Sequence, residues 1–76
     1  MEIPLTQLGR GKTAVIKNLK GGFEFQRKLA SLNIRVGKTI RKVTSEPLRG
    51  PIVIHIDNTQ VSIGIGMAMK IFVEEK

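Results

Sequence analysis

The chain has no cysteine, no tryptophan, no tyrosine, a single histidine and only three phenylalanines in its 76 residues. Without cysteine there is neither a disulfide framework nor a thiolate metal site, which fits a reducing cytosolic compartment. No apolar run approaches the ~20 residues of a membrane-spanning helix. The opening MEIPLTQLGRG also lacks the basic-then-apolar layout of a signal peptide. Carboxylates occur only at Glu2, Glu24, Glu46, Asp57, Glu74 and Glu75, and Ser31, Ser45 and Ser62 lie outside any G-x-S-x-G nucleophile elbow. Such an inventory argues against an enzyme and against a bound cofactor. The length fits one domain, 1–76, with no room for a second.

What the chain does have is positive charge. Thirteen Lys and Arg against six Asp and Glu leave a net charge of +7. Lys12, Lys17, Lys20, Arg27, Lys28, Arg35, Lys38, Arg41, Lys42 and Arg49 sit singly or in pairs between apolar residues, which reads as a solvated polar face and not as a basic tail. The tripeptide Gly-Lys-Thr occurs twice, at 11–13 and at 37–39. Neither copy completes the phosphate-loop pattern G-x-x-x-x-G-K-[ST], because Thr6 and Leu32 stand where the first glycine belongs. Both copies run into β-branched sequence, so each reads as a glycine turn with a lysine leading into a strand.

Periodicity then divides the chain. Ile3, Leu5 and Leu8 pin an opening segment; 12–19 reads as a strand; and Gly21-Gly22 ends it. Phe25, Leu29 and Leu32 recur at helical spacing, with Gln26, Arg27 and Lys28 opposite, predicting one short helix over 23–32. Asn33 supplies a left-handed close and Ile34 docks back. A second strand is expected over 38–45, with a bulge because Ile40 and Val43 differ in parity. Pro47, Gly50 and Pro51 mark a loop. Ile52, Ile54 and Ile56 then alternate up to an Asp57-Asn58 turn, and Val61, Ile63 and Ile65 alternate after it. Met67 to Lys70 reads as a single helical turn before a last strand at 71–73. The fold class is mostly β with one short helix, a small barrel of about five strands. Phe25, Phe72 and the two methionines Met67 and Met69 are expected in the core, with Phe23 unassigned.

Taken together, Leu8 and Gly11, Gly21-Gly22, Arg27 with Leu29 and Leu32, Gly37, the 47–51 loop, and Ala68-x-x-Ile71-x-Val73 resemble the ferrous iron transport protein A family over nearly the whole chain. Asn33 stands where that family usually has glycine, and Gly64 and Gly66 replace larger residues. The resemblance implies an SH3-like β-barrel that docks, as a non-catalytic cytosolic accessory of bacterial ferrous iron uptake, on a membrane ferrous iron transporter with a G-protein domain. Similar barrels accompany metal-dependent repressors, but no helix-turn-helix pattern precedes this one, which favours the free-standing accessory.

On that reading Arg27, Lys28, Arg35 and Lys38 are the partner-binding residues, offered to an acidic surface. Contact with the membrane comes only through the partner, and a homo-oligomer is left open. The only metal candidates are His55 and Asp57, at i and i+2 on one strand, and two ligands fall short of the three or four that a stable site needs. The alternative is a small basic barrel that binds nucleic acid, motivated by the +7 charge and weakened by the shortage of aromatic rings for base stacking.

Overall fold

The computed structural model describes residues 1–44 and 50–76. Among these, strands β1 (Glu2–Pro4), β2 (Thr13–Leu19), β3 (Thr39–Lys42), β4 (Ile52–Ile56), β5 (Thr59–Ile63) and β6 (Ile71–Glu75) form one sheet in the order β1-β6-β2-β3-β4-β5. Every pairing is antiparallel. The sheet curls like a barrel, but its end strands β1 and β5 are not hydrogen-bonded neighbours, so it stays open. A 3-10 turn (Leu5–Gln7), helix α1 (Phe23–Ser31) and the one-turn helix α2 (Ile65–Ala68) complete the described elements.

Period-two alternation decides the strand faces. In β4, Ile52, Ile54 and Ile56 are buried while Val53 and His55 lie half-exposed on the other face. Ala14 and Ile16 from β2, Ile40 from β3, Ile63 from β5, and Ile71 and Val73 from β6 join the isoleucines in the core, with Leu5, Leu8, Leu29, Ile34 and Ala68 closing over them.

Helix α1 ends as its sequence dictates. Asn33 takes φ 69°, its N–H donates to the Ala30 carbonyl, and the Ile34 N–H donates to that of Leu29. That pair of bonds is the Schellman closure, and its apolar contact is supplied by Leu29 and Ile34, both fully buried. Asp57 and Asn58 both have positive φ, 50° and 61°, as a two-residue type I′ hairpin demands. The glycine turns before β2 and β3 are present too, with Gly11 at φ 79° and Gly37 at φ 97°.

Several expectations change. There are six strands among the described residues rather than about five, because the opening segment adds β1, pairing Ile3 with Val73. The strand after the hairpin stops at Ile63, and Ile65 begins the helical turn. Phe72 is not in the core. Ile71 and Val73 take the inward positions of β6, so the ring between them faces outward with the Lys20 ammonium 4.6 Å from its centroid. Phe25 packs at the margin of the core, Met67 does likewise, and Met69 is 57% exposed.

The bulge expected in the second strand lies just past β3, where the N–H groups of Val43 and Thr44 both donate to the Val53 carbonyl. A second irregularity falls in β2 between Ile16 and Asn18, at Lys17. The expectations on Ser45 and Pro47 lie outside the described residues.

Candidate functional site

The basic groups singled out in the sequence follow α1 and the turn after it. Arg27 and Lys28 are exposed on the helix; Arg27 has Glu24 at 3.9 Å, an exposed pair of little energetic weight. Arg35 is exposed in the turn that leads to β3. Lys38 behaves differently, because its ammonium lies 2.5 Å from Asp57 Oδ2. The same oxygen accepts a hydrogen bond from Asn33 Nδ2 at 2.6 Å. Asp57 thus ties the left-handed close of α1, the start of β3 and the tip of the β4–β5 hairpin to one carboxylate.

His55 sits on the outer face of β4, across from Arg41 of β3 on one side and Gln60 of β5 on the other. His55 and Asp57 line one shallow groove with Thr13, Thr39, Ile40, Arg41 and Asn58. Among the described residues no three His, Cys, Asp or Glu side chains come together as a metal site would require. A second groove runs between the end of α1 and the hairpin, lined by Ser31, Leu32, Asn33, Ile56, Asp57, Thr59 and Val61.

One residue overturns its reading outright. Lys42, taken from the sequence as part of the solvated face, is 1% exposed. Its Nζ donates to the carbonyl oxygens of Leu8 at 2.7 Å and of Leu5 and Thr6 at 3.2 Å each. The Leu5 oxygen already accepts the Leu8 N–H at 3.1 Å, so Lys42 is its second donor, and the remaining two N–H bonds of the ammonium serve the Thr6 and Leu8 carbonyls that follow in and just past the turn. Burial pushes the Lys42 amine below its ordinary value of 10.5. The signal was present in the parity of β3, where Ile40 and residue 42 share a face; charge type masked it.

At the opposite edge, Glu74 has the N-terminal ammonium at 3.2 Å and Lys17 at 3.6 Å. The hydrogen bond and charge of the N-terminus, then the charge of Lys17, hold the Glu74 carboxyl below its ordinary value. Glu75 faces Lys12 at 3.6 Å. Among the described residues the large exposed apolar side chains are Met1, Phe23, Val36 and Met69, with Phe23 75% exposed. No described helix is long and apolar enough to cross a membrane.

A small, open, barrel-like antiparallel sheet with one basic helix defines an SH3-like module. The chain belongs to the FeoA family: the FeoA domain matches residues 3–75. It is 29% identical over 72 residues to a "Putative Fe(2+) transport protein A" of Methanocaldococcus jannaschii, spanning 95% of this chain and 85% of that protein. The crystal structure of an iron uptake regulatory protein (FeoA) superposes with a TM-score of 0.90 at 32% identity, covering 100% of this chain and 99% of the other. A manganese-dependent transcriptional repressor shares the fold over 99% of this chain and 42% of its own length, with a TM-score of 0.87 at 22% identity.

Proposed function

We propose that this protein is a non-catalytic cytosolic accessory of ferrous iron uptake that acts by docking on the cytosolic part of a membrane ferrous iron transporter carrying a G-protein domain. The observation that carries the reading is the match of the FeoA domain across residues 3–75. Arg27, Lys28 and Arg35 are the docking groups for an acidic surface, and Lys38 contributes beside them while bound to Asp57. A role in carrying iron has less support, since no three candidate ligands converge among the described residues.

Nucleic-acid binding is the weaker alternative. Two of the three phenylalanine rings have lysine ammonium groups against them, Phe72 with Lys20 at 4.6 Å and Phe25 with Lys70 at 5.4 Å, which leaves Phe23 as the uncommitted stacking ring.

The test is charge reversal. The double variant R27E/K28E is expected to keep its fold by circular dichroism, to lose capture of the transporter's cytosolic part, and to fail to support iron uptake in cells lacking the parent. Capture and uptake at the parental level would remove the patch from the mechanism. Binding to single-stranded RNA that weakens linearly in log–log with salt, without capture of the transporter, would favour the alternative.

A further inference from the structure

The two Gly-Lys-Thr repeats build no phosphate loop, but the fold brings them to one place. Thr13 pairs directly with Arg41, and Thr39 pairs with Val15 two residues along the same β2–β3 ladder. Arg41 pairs in turn with His55. Thr13, Arg41 and His55 therefore form a row across three strands on the outer face, with neighbouring Cβ atoms about 5 Å apart, and Thr39 sits on that face two residues before Arg41. All four line one open groove of about 360 Å³.

The lysines of the repeats are committed elsewhere, Lys12 to Glu75 and Lys38 to Asp57. Their threonines are not: among the described residues no hydrogen bond engages the side chains of Thr13, Thr39, Arg41 or His55, and no carboxylate pairs with Arg41. Among the described residues the one carboxylate on the rim is Asp57, offset by Lys38 and Asn33.

We propose that this groove is an anion site for a phosphate monoester, with Arg41 as its anchor. A guanidinium offers a planar fork of N–H donors, two hydroxyls approach from the neighbouring positions, and the imidazole supplies a further N–H. Donors spread over four side chains suit the several oxygens of a tetrahedral phosphate better than the two of a carboxylate. The groove is shallow and solvated, so binding is weak and specific, not tight. This site lies on the strand face, apart from the helix residues assigned to docking, and stands or falls independently of them.

The test is a titration of the isotope-labelled full chain with inorganic phosphate, followed by NMR at constant ionic strength set with sodium chloride. Saturable shifts confined to residues 13, 39–41, 55 and 58 are expected. R41Q is expected to weaken binding at least about tenfold, the scale of losing a charge-assisted bidentate contact. H55N weakens it less, and K28Q leaves it unchanged. Arg41 is exposed, so R41Q keeps the parental spectrum elsewhere, and R41K, which restores charge without the fork, recovers only part of the affinity.

A parallel arm measures binding to phosphatidylcholine vesicles with and without phosphatidic acid. Capture by the acidic vesicles that R41Q abolishes identifies a lipid phosphate as the source; a phosphate response without such capture identifies a soluble ester. Shifts reproduced by chloride alone, shifts spread over Lys20, Lys28 and Lys70, or R41Q binding like the parent would overturn the site.

Discussion

Lys42 replaces what would ordinarily be an aliphatic core position with a charge, and the three carbonyls it serves explain why the position tolerates one. Replacing it by methionine keeps the stem and removes the donors, leaving the oxygens of Leu5, Thr6 and Leu8 without their Nζ partner. Because buried acceptors keep their desolvation cost when a partner is lost, K42M should destabilise the protein by about 3 kcal/mol, measured by urea unfolding. The pH dependence has a definite sign. With its folded value pushed below 10.5, Lys42 loses its proton in the folded chain before the unfolded chain does. Between those two values the unfolded chain binds more protons, so the contribution of this residue to stability rises with pH. The stability difference between the parent and K42M should therefore shift in the parent's favour as pH climbs toward 10.5, and a flat difference would contradict the assignment. For Glu74 the sign is the same in a lower pH window: its carboxyl is held low, so the stability it contributes is present above the ordinary carboxylate range and is lost in acid. Removing the Lys17 charge in K17Q should raise the Glu74 titration midpoint toward its ordinary value, as followed by NMR.

At the scale of elements, two joints carry predictions. A Cβ on Gly21 would overlap the Phe25 ring, which packs at the margin of the core under the Lys70 ammonium. G21A should therefore cost about 1–3 kcal/mol through displacement of that ring, measured by thermal or urea unfolding. The hairpin tip offers the reverse case. Asn58 holds φ 61° at the second turn position, where glycine carries no Cβ penalty. N58G should leave the fold unchanged and raise stability by about 0.5–1 kcal/mol, read as a higher urea midpoint with the same slope.

These elements also mark how far the sequence could be read. The helix, its close at Asn33 and the Asp57-Asn58 hairpin follow from local rules, since periodicity and left-handed tolerance are properties of a few adjacent residues. β1 is three residues long and contains Pro4, so nothing local distinguishes it from a loop; only β6, at the far end of the chain, makes it a strand. Lys42 had a local sign in the parity of β3, but the carbonyls that let a charge sit there lie 34 to 37 residues away. The basic helix face was legible, whereas the convergence of Thr13, Thr39, Arg41 and His55 depends on strand register, which no short window encodes.

At the scale of the whole molecule, charge is unevenly placed among the described residues. Glu2, Glu74 and Glu75 belong to the two strands β1 and β6, while Arg27, Lys28, Arg35 and Arg41 belong to α1, the turn after it and β3. The same asymmetry gives the docking proposal its whole-molecule signature: capture of the transporter's cytosolic part should weaken as salt screens the basic face, and a salt-insensitive interaction would point to contacts of another kind.

The register of β1 against β6 has a consequence in time. Glu2 lies opposite Glu74, so β1, made before β6, has no partner in the sheet until β6 follows. Leu5 and Leu8, carried just behind β1, belong to the same core as Ile71 and Val73 of β6. Such non-local pairing carries a large loop-closure cost before contacts reward it, so assembly is governed by topology more than by local propensity. A nascent chain halted before residue 71 would hold α1 and the β4–β5 hairpin as local structure without the strand that joins β1 to β2. Closure of the sheet around its core should thus be a single late event that follows local structure and waits for β6.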